Sequence, residues 1–284
     1  MSPGGARIAV IGDVGGHLDE LTHELAELGV PAPGAPLPPH LTVIQVGDLI
    51  HRGPDSAGVV RLVDGYLREQ PRQWVQLAGN HEAQYLRAPA FDWPERLDDA
   101  SAGLLRRWWS SGSMRVAATI ETEDEEFLVT HAGLTQGFWR EVLGSPPTAA
   151  ETAAALNRLV RLEDNRLFRP GQMLTGHPQG DPTAGPLWAA AGTELVPSWL
   201  GVALPFSQVH GHTSVYDWER ARFRTSPEVE ARTDLDTASR HATVTLDGGR
   251  IVGVDAGHGL VAKGPWRAWT SPQELPGVGG AGME

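Results

Sequence analysis

Carboxylate, amide and imidazole side chains recur at one kind of place in this sequence, the end of a short apolar run. Asp13 follows "IAVIG", and Asp48 closes "LTVIQVGD". Asn80 and His81 close "QWVQLAGNHE", His131 follows "EFLVT", and His210 and His212 follow "FSQV". Oxygen and imidazole ligands delivered by successive elements are what a two-metal site needs. One carboxylate bridges the ions and the rest fill the separate coordination spheres. Two such cations, roughly 3.5–4 Å apart, activate a hydroxide between them and neutralise charge on a phosphoryl group. Taken singly, each piece has a blander reading. A Gly-Asp pair is commonly a turn or helix cap, and a lone histidine is commonly a hydrogen-bonded structural residue. "GDVGG" at 12–16 does not fit the G-x-G-x-x-G nucleotide turn. The ordered set argues for the metal site.

The elements that would carry these residues are legible in the hydrophobic pattern. Residues 7–12 read as a buried strand. Leu18, Leu21, Leu25 and Leu28 then mark one face of a helix that Gly29 caps. Residues 31–40 form a Pro/Gly loop, 41–48 a second strand, and Val59, Val63, Tyr66 and Leu67 one side of a second helix. Residues 73–82 are a third strand. This β-α-β-α-β order predicts a sheet with helices packed on it and ligands bound at the strand C-termini. Beyond it, 93–112 reads as a helix, 114–121 and 126–131 as strands, and 136–200 as a mostly helical cap insertion. Residues 206–215 return to strand, and 241–257 form a hairpin turning at Asp247-Gly248-Gly249. The expected organisation is one domain over 1–270 with a loose tail at 271–284.

Composition narrows the function. The chain has 284 residues, 40% of them hydrophobic and 20% charged, as an ordinary globular protein has. Its net charge of −12 disfavours nucleic acid and anionic membrane as partners. No cysteine is present, which excludes disulfides, zinc fingers and thiolate nucleophiles. No apolar run approaches the ~20 residues of a membrane span. The N-terminal residues show no signal-peptide pattern, so a cytoplasmic location is expected.

"GDVGGH", "GDLIHRGPDS", "GNHE", "THAGL" and "HGHT" occur in the order found in calcineurin-like metallophosphoesterases. They most resemble the phosphoprotein-phosphatase branch, with its bacterial Ser/Thr phosphatases and symmetrical diadenosine-tetraphosphate hydrolases. "GDxxxRGPDS" with "GNHE" is the specific part. The resemblance implies a four-layer α/β/β/α sandwich with two divalent ions at the strand ends, manganese first and iron or zinc as alternatives. It implies that Asp48 bridges the ions, Asp13 holds the first, and Asn80, His131 and His212 hold the second. Arg52 would clamp the phosphate with its planar fork, and His81 would protonate the leaving oxygen. A metal-bridging hydroxide would attack phosphorus in line. The implied substrate is a phosphorylated protein, with a diadenosine polyphosphate or other nucleotide as the enzymatic alternative. "GVDAGHG" at 253–259 resembles the family's closing strand, with Asp255 supporting the site.

Two positions depart from the family. Its first motif is Asp-x-His, and the histidine, a ligand of the first metal, is Gly15 here. His17 stands two residues on and is either a substitute ligand or a substrate contact. The second departure is His51, where relatives carry an aspartate that orients the His81 ring. A histidine cannot offer the same charge, and two imidazoles near two dications should resist protonation; His51 would instead contact the first metal, compensating for Gly15. If the two changes disable the first metal, the chain becomes a module that binds a phosphorylated ligand without turnover. The sequence leaves the oligomeric state open.

Overall fold

The computed structural model describes residues 7–176, 180–259 and 264–271. The expected loose tail, 271–284, lies outside these residues apart from Ser271. The strands are β1 (Arg7–Ile11), β2 (Leu41–Gln45), β3 (Trp74–Leu77), β4 (Met114–Arg115), β5 (Ala117–Glu121), β6 (Glu126–Thr130) and β7 (Ser207–His210). After them come β8 (Tyr216–Asp217), β9 (Arg222–Phe223), β10 (Thr233–Asp236), β11 (His241–Leu246), β12 (Gly249–Gly253) and β13 (Trp269–Thr270). The helices up to residue 161 are α1 (Leu18–Glu27), α2 (Ser56–Glu69), α3 (Asn80–Leu86), α4 (Asp99–Ser111), α5 (Gln136–Glu141) and α6 (Ala149–Arg161).

Two large sheets form. The first runs β13-β1-β2-β3-β4 and the second β10-β11-β12-β7-β6-β5. β1, β2 and β3 are parallel neighbours, because α1 and α2 return the chain between them. In the second sheet β6, β7 and β12 are likewise parallel. Val10, Ile44, Val46 and Leu77 from the first sheet meet Phe127, Val129, Val209 and Val252 from the second in one buried cluster. The helices bury a separate cluster on the outer face of the first sheet, with Leu21, Leu25, Val59 and Val63 against Ala9, Ile11 and Val43. Strands covered on both faces are largely apolar on both, as residues 8–11 of β1 and Val43 and Ile44 of β2 are, while the buried Gln45 satisfies its amide on the Gly12 and Gly47 carbonyls. The result is the expected layered α/β architecture.

Local differences have local causes. The segment 73–82, expected as one strand, ends at Leu77, and Asn80 and His81 open α3 instead. The Glu82 carboxylate turns back to accept the Gly79 N–H, which starts a helix where the apolar pattern alone would continue a strand. The helix expected over 93–112 starts later, at the Asp98 cap, whose side chain accepts the Ser101 N–H. Within 136–200, α6 lies on the second sheet, where Asn157 bonds the backbone of Val116 and Ala117. The hairpin at 241–253 turns at Asp247-Gly248 as expected.

Candidate metal centre

The parallel topology gathers the polar strand ends at one edge of the sandwich. β1 leads to Asp13, β2 to Asp48, β3 to Asn80 and His81, β6 to His131, β7 to His212, and β12 to Asp255. All are buried, with at most 8% of their surface exposed.

Backbone geometry at this edge is strained. Asp48, His51, Arg52 and His212 all have positive φ, 53°, 72°, 74° and 64°. Non-glycine residues held in that region cost of order 1–3 kcal/mol each, so the surroundings must hold them. They do so through the two loops that carry Asp13 and Asp48. Val14 and Gly15 donate to the Asp48 carbonyl, Gly16 to Leu49, Gly53 to Gly15, and Asp55 to Gly16. Glu82 adds a carboxylate underneath, accepting the N–H groups of Asp48 (2.8 Å), Leu49 (2.9 Å) and Gly79 (2.8 Å). The "GPDS" residues serve the same loop. Ser56 Oγ accepts the His51 N–H at 2.8 Å, and Asp55 caps α2 by accepting from Gly58. A side chain at Gly53 would come within 2.6 Å of the Gly16 backbone. This close approach is what the motif glycine permits.

Asp48, His131 and His212 bring ligand atoms within 4.8 Å of one another, a metal-capable cluster found among the described residues. The inward end of the Asn80 amide lies among them, 3.0 Å from His131 Nε2, 3.0 Å from His212 Nδ1 and 3.2 Å from Asp48 Oδ2. With its oxygen inward, as placed, Asn80 faces only acceptors. Four lone pairs converging in a buried space are the environment of a cation. His131 Nδ1 is 3.0 Å from the Val46 carbonyl; donating there leaves Nε2 bare for a metal. Two further buried atoms, Asp13 Oδ2 and His212 Nε2, have no hydrogen-bond partner. Buried polar atoms are normally satisfied; the Asp13 oxygen fits a cation, whereas His212 Nε2, opposite the inward Nδ1, is the ring's N–H donor.

The electrostatics agree. Burial, then Asp255 and Asp48, push the Asp13 carboxyl well above its ordinary range, and burial raises Asp255 as well. Three carboxylates this close favour a positive guest. Burial also acts to raise Asp48, but His81, His131, Arg52 and His212 outweigh it and hold that group below the usual carboxylate range. Burial lowers His131 and His212, keeping both rings neutral and able to ligate. Divalent metal therefore fits the donor set at Asp48, Asn80, His131 and His212. On the Asp13 side, Asp13 and Asp48 are the fitting groups that the sequence anticipates.

Gly15 takes φ +55° and Gly16 φ +76°, a left-handed pair that a histidine in the family's position would strain. His17 is not brought into the cluster. Its Nε2 is 2.9 Å from the Gly259 carbonyl, and its ring packs 5.3 Å from that of His258. His51 sits beside His81, with Nδ1 2.7 Å from His81 Nδ1 and Nε2 2.8 Å from the Tyr85 hydroxyl. Both of its nitrogens are thus engaged away from the metal ligands. His81 donates its backbone N–H to Asp48 Oδ1, and its Nε2 lies 3.4 Å from Arg52 Nη2 and 3.8 Å from Asp48 Oδ2. Burial pulls His81 down to about 4 and His51 down to about 3. His210 Nδ1 is 2.8 Å from the Gly211 carbonyl. Arg52, His212, Asp255 and His258 line a cavity of about 290 Å³ together with Tyr216 and Trp218.

Three residues at the site went unassigned in the sequence: Glu82, Tyr85 and Trp93. Glu82 carried a signal, the N3 position of a capping box. Trp93 packs at 4.8 Å from the His81 ring, stacks on His51, and lies under the Arg52 guanidinium, but nothing in its neighbours' sequence marks it.

A family model for calcineurin-like phosphoesterases matches residues 6–231. Among solved structures, a cold-active protein-tyrosine phosphatase from a psychrophilic Shewanella species is 17% identical, covers 92% of this chain and 74% of its own, and gives a TM-score of 0.53. A protein serine/threonine phosphatase from Saccharomyces cerevisiae is 22% identical over 47% of this chain, with a TM-score of 0.35. A metallophosphoesterase from Sphaerobacter thermophilus is 19% identical over 45%, with a TM-score of 0.30. The chain spans 40% of the yeast protein's length and 47% of the Sphaerobacter protein's. No curated protein sequence matches it significantly. Among the described residues, no helix is long and apolar enough to cross a membrane.

Proposed function

The chain belongs to the calcineurin-like phosphoesterase family, and on that footing we propose that it is a metal-dependent phosphoric ester hydrolase, a dinuclear enzyme of the Ser/Thr-protein-phosphatase type. The observation that carries the reading is the buried convergence of Asp48, Asn80, His131 and His212 beside Arg52 and His81. Asp48, Asn80, His131 and His212 would hold one divalent ion, and Asp13 with Asp48 the other; manganese is our first choice for mixed oxygen and nitrogen donors. When bound, such ions supply Lewis-acid stabilisation of phosphoryl charge.

The chain's own groups do the rest. Arg52, at the wall of the cavity, binds two phosphate oxygens with its fork. Glu82 and the backbone bonds between the loops keep Arg52 and Asp48 in register, so little reorganisation is needed when substrate arrives. His81 presents Nε2 beside the guanidinium, where the leaving oxygen of a bound ester would lie. Trp93 and Phe91 pack on the His81 ring and exclude water from it.

One observation favours a nucleotide as the second reading. Tyr216 and Trp218 line the cavity that Arg52 and His212 share, and aromatic rings there could stack a base. The deciding experiment is phosphate release by the Mn²⁺-loaded protein from a phosphothreonine peptide and from diadenosine tetraphosphate. Peptide turnover supports the protein-phosphatase reading; cleavage of the dinucleotide alone replaces it with the nucleotide reading.

A further inference from the structure

A second arginine stands at the cavity that Arg52 lines. β8 and β9 form a two-stranded ribbon shortly after His212, with Tyr216 opposite Phe223 and Asp217 opposite Arg222. Arg224 leaves the end of this ribbon, and its N–H donates to the Val215 carbonyl at 2.8 Å. Its side chain is half-exposed and lines the same cavity of about 290 Å³ as Arg52 and His212. One edge of the guanidinium is held, with Nε 3.2 Å and Nη2 2.7 Å from Oδ2 of Asp217. Among the described residues, Nη1 has no partner.

Asp217 leaves positive charge to spare. Its buried carboxylate also accepts the N–H groups of Glu219 and Arg220 and pairs with Arg220 Nη1 at 3.3 Å. One carboxylate thus faces two guanidinium groups. Arg220 is exposed and stays off the cavity wall, so Arg224 is the group that presents the surplus to the cavity. The other acids at this wall do not cancel it. Asp255 belongs to the carboxylates that favour the metal, and Glu219 is exposed and has an interaction of its own. Because Asp217 already orients the planar fork, Arg224 gives up little freedom when an anion arrives. The cavity volume is near the lower end for small-molecule sites, about 300–1,000 Å³, which leaves space beyond the phosphoryl group at Arg52.

We propose that Arg224 is a specificity-determining residue: it binds a second anionic group, phosphoryl or carboxylate, on the substrate whose scissile phosphate Arg52 holds. The proposal rests on the reading of Arg52 given above.

The test reads affinity without turnover. Titration calorimetry on Mn²⁺-loaded protein compares methylphosphonate, with one anionic group, with phosphonoacetate and methylenebisphosphonate, which add a carboxylate or a second phosphonate. None of the three has an ester or anhydride bond to hydrolyse. The added group also chelates Mn²⁺, so the quantity that decides is the affinity of each double anion relative to methylphosphonate, compared between wild type and variants. In Arg224→Gln this preference is expected to fall about fivefold, as for a charge-assisted bond at a half-exposed site. Arg220→Gln takes the other guanidinium from Asp217 without touching the cavity and should leave the preference within about twofold of wild type. Arg224→Lys keeps a cation opposite Asp217 but has no fork to span both groups, so it is expected to lose most of the preference and replaces Arg224→Gln if that variant does not fold. A fall confined to phosphonoacetate assigns the site a carboxylate, one confined to methylenebisphosphonate assigns it a phosphoryl group, and a fall in both assigns it either anion. A preference that stays within about twofold of wild type in both Arg224 variants, or that falls equally in Arg220→Gln, overturns the proposal. A wild type that binds these anions yet hydrolyses no p-nitrophenyl phosphate with Mn²⁺ refutes the reading of the metal centre, and the affinity ratios still decide the role of Arg224.

Discussion

Glu82→Gln is the substitution whose cost the structure defines most closely. The wild-type carboxylate is fully buried and accepts three backbone N–H groups, those of Asp48 and Gly79 on Oε2 and that of Leu49 on Oε1. Glutamine offers one oxygen and one NH₂. In its better orientation the oxygen keeps Asp48 and Gly79, and the NH₂ meets the Leu49 N–H, donor against donor. A hydrogen bond to a charged group, about 1.5–3 kcal/mol, is lost, and the stranded donor costs about 1–3 kcal/mol more. Burial and the nearby Asp48 charge push the Glu82 carboxyl up to about 8, so the comparison is made above about pH 8, where the group is the charged acceptor, and removing that charge returns part of the cost. A net loss of about 2–4 kcal/mol follows, or a fall in Tm of roughly 4–8 °C at roughly 2 °C per kcal/mol for a chain of this size. Because the same N–H groups hold Asp48 and the loop to Arg52, kcat should fall about 100-fold for a displacement near 1 Å. Differential scanning fluorimetry and p-nitrophenyl phosphate turnover measure the two effects. A Tm within about 1 °C of wild type with turnover within about twofold would refute the argument that Glu82 holds the Asp48 loop.

His131→Ala removes one of the converging lone pairs and should weaken Mn²⁺ binding by at least about tenfold in titration calorimetry; unchanged affinity would remove His131 from the ligand set. Gly53→Ala puts a methyl within 2.6 Å of the Gly16 backbone and should cost about 1–3 kcal/mol in urea unfolding, with lost turnover, whereas Gly65→Ala, which meets nothing within 4 Å, should not. Burial lowers His210 from 6.5 in the unfolded chain to about 4 in the fold. Its contribution is therefore fully present above about pH 6.5 and is lost as pH falls toward about 4. In metal-free protein this group should account for a loss of about 2 kcal/mol between about pH 7.5 and pH 5, read as the difference in urea unfolding between wild type and His210→Gln; a pH dependence that the substitution leaves unchanged would contradict it.

The strand ends were legible because a strand covered on both faces is a continuous apolar run, and the first polar residue after it marks its end. Asp13, Asp48, Asn80 and His131 follow that rule, His212 comes two residues after the first polar residue His210, and the fold brings all five to one edge. What the sequence could not carry is which atom faces which. His17 offered a ligand two residues from Gly15, yet the two left-handed glycines turn it to the Gly259 carbonyl. His51 is conspicuous in the sequence, but its partner Tyr85 lies 34 residues away and is brought near only by the packing of α3 on the Asp48 loop. Glu82 acts on backbone N–H groups, which every residue has, so its partners leave no mark in the sequence. Trp93 reaches the His81 ring from an irregular stretch ahead of α4, where no hydrophobic period predicts a facing direction.

The central claim is that the buried Asp48–Asn80–His131–His212 cluster makes this chain a metal-dependent phosphoesterase. The most direct measurement is hydrolysis of p-nitrophenyl phosphate by metal-stripped protein, with and without added Mn²⁺, beside Asp48→Asn prepared identically. Turnover that appears with Mn²⁺ and is abolished in Asp48→Asn is the predicted result. Turnover that needs no metal, or that never rises above the Asp48→Asn background in any divalent ion, would contradict it.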